Sequence, residues 1–301
     1  MKDFLATVFI VIAIIALFVV MGSFAKNLST ESLTLGGWFS KWSVANPGER
    51  AHLTLEVTEE ELWTPTTKGL VGDSPWKGLI NFDVTEQDTQ TEFPEEEYMT
   101  IRASIQNTKT ISLKGWSLES SISGTRIPLP QGVLFFVLGR ENKTTDIVLA
   151  PGEFVHIMTG SSPLATSFHT NTCSGQLSEG RNFIPALSEI CPAPSALLPP
   201  TIENVRAYGE ECIEYIQSLQ PCETPLQNTP PELLPVCRSF IAEKLTYNKC
   251  VEREYKRNGY GIFNFGGWYL YLNAPAELWR NKYDVIRLLD PAGRVVDVVS
   301  Y

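Results

Sequence analysis

Apolar residues follow three rhythms along this chain. They run unbroken near the N-terminus, alternate with polar residues over several short stretches, and recur at helical spacing over two others. The unbroken run is Phe4–Met21, FLATVFIVIAIIALFVVM. At about 1.5 Å per helical residue it can just span a hydrocarbon core of about 30 Å. The expectation is a transmembrane anchor over residues 4–24. Ser23 and Ala25, ahead of Lys26, also fit a signal-peptide cleavage site. The length of the run favours the retained anchor. Both alternatives carry the remaining chain across the membrane.

Residues 25–48 show no sustained period and read as a stalk. Alternation over Ala51–Val57 and Leu79–Val84 predicts strands in an acidic segment, 49–88. It strengthens over Tyr98–Ile105, Ile111–Leu118, Thr125–Pro130 and Thr145–Thr159, the last interrupted by a Pro151-Gly152 turn. The pattern lapses near Thr170 and returns at Trp268–Leu272. Val285–Leu289 and Val295–Val299 then predict a hairpin across Asp290-Pro291-Ala292-Gly293, with Pro and Gly where such a turn uses them. Short strands bounded by turns predict a β-sandwich over 89–170 and 265–301.

The interval 171–264 is different. Val205, Tyr208, Cys212, Ile216 and Leu219 sit at helical spacing within Glu203–Leu219. Pro230 and Pro231 after Thr229 predict a second helix start, burying Leu234, Cys237, Phe240, Ile241 and Leu245. The interval reads as a helical-hairpin insertion between two late strands, so its ends must lie close together.

All six cysteines fall between Cys173 and Cys250. No Cys-x-x-Cys pair is present, and His169 is the nearest histidine, so disulfides are expected rather than a metal site. Disulfides persist outside the cytoplasm, which sets the topology. Two antiparallel helices joined near residue 228 predict the pairs Cys212–Cys250 and Cys222–Cys237, leaving Cys173–Cys191 as a local loop. Short helices of this kind depend on such crosslinks.

The net charge of -10 resides in Glu49–Thr100, which holds 13 Asp/Glu and 3 Lys/Arg. That balance disfavours nucleic acid and anionic lipid surfaces as partners. Glu92, Glu95, Glu96 and Glu97 do not match the spacing of a Ca²⁺ loop and read as solvated surface.

Chemistry-bearing constellations are absent from the sequence. His52, His156 and His169 are far apart, there is no Gly-x-Ser-x-Gly, phosphate loop or His-Glu-x-x-His, and no cofactor or metal is implied. His156 reads as a half-buried strand residue and His169 as a loop residue leading into the insertion. Trp116, Trp268 and Trp279 are expected in the structural core. Tyr255, Tyr260, Phe263, Phe265 and Tyr269 lie among glycines and are the candidate binding residues; either they cover the base of the insertion or they form a contact surface.

Four stretches resemble the lamin tail domain family: EEEYMTIRASIQNTKTISLKGWSLES, TRIPLPQG, LAPGEFVHIMTG and ELWRNKYDVIRLLDPAGRVVDVVSY. Their order is the family's own, and they cover roughly 90–168 and 266–301. The resemblance implies an immunoglobulin-like fold; such domains in bacterial surface proteins look like adhesion or tethering modules, some of them beside secreted nucleases. The cysteine-rich insertion departs from the family, and the chain has no coiled-coil rod. The sequence thus points to a non-enzymatic, membrane-tethered, extracytoplasmic module that binds an envelope protein or surface glycan. Alternatives are an accessory subunit of an exported nuclease or DNA-handling system, or a self-associating structural envelope protein.

Overall fold

The computed structural model describes residues 74–301 except 86, 226, 227 and 265. The expected anchor over 4–24, the stalk over 25–48, His52 and the first part of the acidic segment lie outside the described residues. Among the described residues, no helix is long and apolar enough to cross a membrane.

The frame is β. A five-stranded sheet is built from β1 (Ile80–Phe82), β2 (Tyr98–Ala103), β7 (Phe154–Met158), β8 (Phe168–His169) and β9 (Trp268–Tyr271), in the order β1-β2-β7-β9-β8. A four-stranded sheet has the order β11-β10-β4-β5, from β4 (Ser117–Ser120), β5 (Arg126–Pro128), β10 (Val285–Leu289) and β11 (Val295–Ser300). β3 (Ile111–Ser112) pairs with β6 (Val148–Leu149). Neighbours are antiparallel except β7 and β9, which run parallel.

Alternation sets the core. Met99, Ile101, Val155, Ile157, Trp268 and Leu270 from one sheet meet Trp116, Leu118, Ile286, Leu288 and Val296 from the other. Trp116, Trp268 and Trp279 are all buried in this core. Gly115 reaches Trp116 at φ +76, where a side chain is strained, and packs on Pro291. The final hairpin turns at Asp290-Pro291-Ala292-Gly293. Gly293 N–H donates to Asp290 O at 2.8 Å, and the buried Asp290 carboxylate accepts from Ala292 N, Arg294 N and Ser74 Oγ.

Among its described residues the insertion holds four α-helices: α1 (Ile202–Tyr208), α2 (Glu210–Ser218), α3 (Pro235–Lys244) and α4 (Tyr247–Asn258). This corrects the two-helix expectation. Gly209, at φ +87 and ψ 152, breaks the first predicted helix in two. The second begins at Pro235, not Pro230, and stops at Leu245; Thr246 then caps α4 by accepting from Lys249 N.

The disulfides are Cys173–Cys250, Cys191–Cys222 and Cys212–Cys237. None of the three expected pairs, Cys212–Cys250, Cys222–Cys237 and Cys173–Cys191, forms. The expectation placed Cys237 and Cys250 on one helix antiparallel to the first. The break at Leu245–Thr246 puts Cys250 on α4 instead, where it joins the core containing Cys173, Phe168 and Tyr247. Cys237 stays with Cys212 and Ile216 in a separate core inside the insertion. Cys222, in the turn after α2, is left to Cys191.

Candidate functional site

The neighbourhood of interest lies where the insertion leaves and rejoins the five-stranded sheet. Strand residues that do not face the main core point the other way. Met158, Tyr269 and Tyr271 form a second core with Phe168, Leu177, Phe183, Leu187 and Tyr247, so the insertion covers this face.

The ends of the insertion meet at Thr170 and Gly267. Thr170 N–H donates to Gly267 O, and Gly267 N–H donates to Thr170 Oγ1, both at 2.9 Å. A Cβ on Gly266 would lie 2.2 Å from Thr170 O, and one on Gly267 would lie 2.4 Å from the Phe154 ring. Only bare backbone fits here.

His169 is a buried strand residue on β8, not the loop residue expected. Its Nδ1 lies 2.6 Å from Thr170 O and therefore carries the proton, since a carbonyl can only accept. Its Nε2 meets the Glu153 carboxylate. Glu153 Oε2 accepts from Ala150 N at 2.7 Å, closing the Pro151-Gly152 turn. The Phe263 and Trp268 rings stand edge-on to the imidazole, centroids 5.0 and 4.9 Å away. All members of this set are committed to neighbours, which suits a structural clamp.

Among the candidate binding residues, Tyr255, Tyr260 and Phe263 come together around Phe135, with ring centroids 5.2, 5.8 and 4.9 Å from it in edge-on geometry. All four are half-buried. Burial pushes the Tyr260 phenol up to about 12. Phe265 lies outside the described residues. Tyr269 is not part of this cluster: it is 4% exposed, stacks on Phe168 and donates from its hydroxyl to Ala186 O at 3.1 Å. The β-period explains this, because Tyr269 alternates with Trp268 and Leu270 and so faces the insertion.

Tyr269 instead borders a cleft of about 340 Å³ between the sheet and the Pro185–Ser188 segment. Beneath it runs a cross-strand row, Thr100–His156–Tyr269, fixed by the register of β2, β7 and β9. Phe154 and Tyr98 flank His156, their centroids 4.6 and 6.0 Å from the imidazole. His156 Nδ1 is 2.7 Å from Thr100 Oγ1. Burial, reinforced by the Arg102 cation, lowers the His156 pKa to about 4 and keeps the ring neutral near pH 7. Alternation placed His156 on a strand, but no local signal reveals the cleft, whose other wall is a loop remote in sequence.

A second depression lies on the insertion. Leu197 and Phe240 form its floor, and Lys244, Lys249, Arg253 and Lys256 surround it, with a volume of about 410 Å³. Glu252 binds Lys249 at 2.7 Å and Lys256 at 2.8 Å, and these contacts lower its pKa to about 2. Residue counts over the whole chain hid this local basic face, because charges cancel in the sum.

The Glu92–Glu97 run divides. Glu92, Glu95 and Glu96 are exposed, whereas Glu97 is buried and accepts from Leu278 N at 3.1 Å. Burial raises its pKa. Among the described residues no group of His, Cys, Asp and Glu is arranged to hold a metal.

Comparison with family models, with characterised proteins and with solved structures found no match to this chain.

Proposed function

We propose that this chain is a non-enzymatic, membrane-tethered module that works outside the cytoplasm, binding or scaffolding an envelope protein or a surface glycan through its insertion. The observation that carries this reading is the linkage of all six cysteines into three disulfides within one insertion. Such crosslinks belong to oxidising compartments and make a small helical element rigid enough to present a surface. The frame supports an immunoglobulin-like, lamin-tail-like sandwich. The GW step falls at Gly115-Trp116, between β3 and β4. The PGE turn joins β6 to β7, and the closing D-x-x-G turn joins β10 to β11.

The test begins with the full-length chain in intact cells. A membrane-impermeant maleimide is expected to label cysteines only after reduction by an impermeant phosphine. Labelling that needs the membrane opened but no reductant sinks the topology. Purified protein is then added to isolated envelopes treated with protease or periodate. Binding lost to one treatment identifies the partner class, and binding to neither untreated nor treated envelopes rejects the module reading. Tyr260→Ala and Phe263→Ala are expected to weaken that binding.

The basic face around Lys244, Lys249, Arg253 and Lys256 favours a second reading, an accessory subunit of an exported nuclease or DNA-handling system. That reading requires DNA binding that weakens steeply with salt. No binding at low salt removes it.

A further inference from the structure

The cleft beside His156 contains a hydrogen-bond donor that the protein leaves unused. Thr100 is fully buried, and its hydroxyl meets only His156 Nδ1 among the described residues. A buried hydroxyl proton needs an acceptor. Thr100 Oγ1–H therefore donates to Nδ1, and the neutral ring carries its own proton on Nε2. His156 is 7% exposed, and Nε2 has no protein partner among the described residues. The cleft it borders is where an acceptor can reach it.

The surroundings select the acceptor. Arg102 and Asp83 act on His156 with opposite signs and pair with each other at 3.1 Å. The site therefore offers little net charge, and a neutral oxygen suits it better than a carboxylate. Phe154, Tyr269 and Pro185 give apolar walls, and the Ser188 hydroxyl stands on the exposed rim. A volume of about 340 Å³ is at the small end for ligand sites, roughly 300–1,000 Å³, and matches a single sugar ring or smaller group.

We propose that this cleft is a subsite for an N-acetylated amino sugar. His156 Nε2–H donates to the acetamido carbonyl, the acetyl methyl rests on the aromatic walls, and Ser188 meets a ring hydroxyl. This assignment rests on the glycan branch of the function proposed above.

Saturation-transfer NMR on the purified full-length protein tests it, with N-acetylglucosamine, glucosamine, glucose and an N-acetyl-lysine amide as probes. The strongest transfer is expected at the acetyl methyl of N-acetylglucosamine. His156→Phe removes the donor and keeps a ring, and is expected to weaken binding roughly tenfold, the scale of one net hydrogen bond. Ser188→Trp, on the exposed rim, blocks the mouth without touching the core and is expected to abolish it. Equal transfer to glucose, preference for the acetyl-lysine probe, or two variants that bind like the parent overturns the subsite. Periodate-sensitive envelope binding without N-acetylglucosamine binding overturns the subsite alone. Loss of both overturns the glycan branch beneath it.

Discussion

Thr170 and Gly267, 97 positions apart, are joined by three hydrogen bonds: Thr170 N to Gly267 O at 2.9 Å, Thr170 Oγ1 to the same oxygen at 3.0 Å, and Gly267 N to Thr170 Oγ1 at 2.9 Å. The pair closes the neck of the insertion and lets β9 enter the sheet between β7 and β8. A rigid neck keeps the insertion from swinging relative to the sheet.

Changes at this neck are expected to be costly. Gly267→Ala drives a methyl into the Phe154 ring and is expected to lower unfolding free energy by about 1–3 kcal/mol, the range for overpacking. Thr170→Val preserves shape but leaves the Gly267 N–H without its partner, at about 1–3 kcal/mol. Urea titration of each variant measures both.

The three disulfides are expected to contribute unequally. Cys173–Cys250 closes the longest segment, with a sequence separation of 77 against 31 and 25 for the others. Chain entropy predicts about 4–5 kcal/mol for it and about 3–4 kcal/mol for each of the other two. The Cys173→Ala/Cys250→Ala variant should therefore show the largest drop in melting temperature. Peptide mapping under non-reducing conditions should return the three observed pairs. A Cys212–Cys250 peptide would contradict the break between α3 and α4.

Acid is expected to destabilise the sheet through His156. Its pKa is about 4 when folded, against 6.5 for the free side chain. Between those values the unfolded chain holds more protons, so stability rises with pH. The contribution is fully present above about pH 6.5 and lost as pH falls toward about 4, with an upper bound of about 3.5 kcal/mol. Glu97, raised by burial, acts in the opposite direction but is common to parent and variant. The difference in urea midpoint between the parent and His156→Phe should therefore shift between about pH 7 and about pH 4.5. A pH-independent difference contradicts the buried neutral imidazole.

Gly209 separates α1 from α2 in a backbone region that glycine alone adopts readily, and a Cβ there would lie 3.1 Å from Leu234. Gly209→Ala is expected to cost about 1–3 kcal/mol from backbone strain. The loss should appear as faster hydrogen exchange in α1 and α2, with the β-strands unchanged.

The strands were legible in the sequence because their cause is local. A two-residue period with one face buried places Met99, Ile101, Val155, Ile157 and Trp268 in the core, and Ile286 and Leu288 of the second sheet with them, without knowledge of the partner strand. The hairpin at Asp290–Gly293 was legible for the same reason, since its residues set their own backbone angles. Cysteine composition likewise gave disulfides as a class. Connectivity was different. It turned on the break at Leu245–Thr246, which directs α4 and Cys250 toward the sheet, and a helical period does not report where one helix stops and another starts in a new direction. Gly209 was visible as a residue, but glycine is tolerated within helices, so its φ of +87 was decided by packing. Tyr269 and His169 show the same division. The sequence left Tyr269 either covering the base of the insertion or on a contact surface and read His169 as a loop residue; the pairing of β8 with β9 buries both. The cleft at His156 depends on strand register and a distant loop together. The sequence alone determined which segments alternate, which cysteines are confined together and which residues turn the chain. Only the tertiary structure decided which faces meet, because burial depends on neighbours remote along the chain.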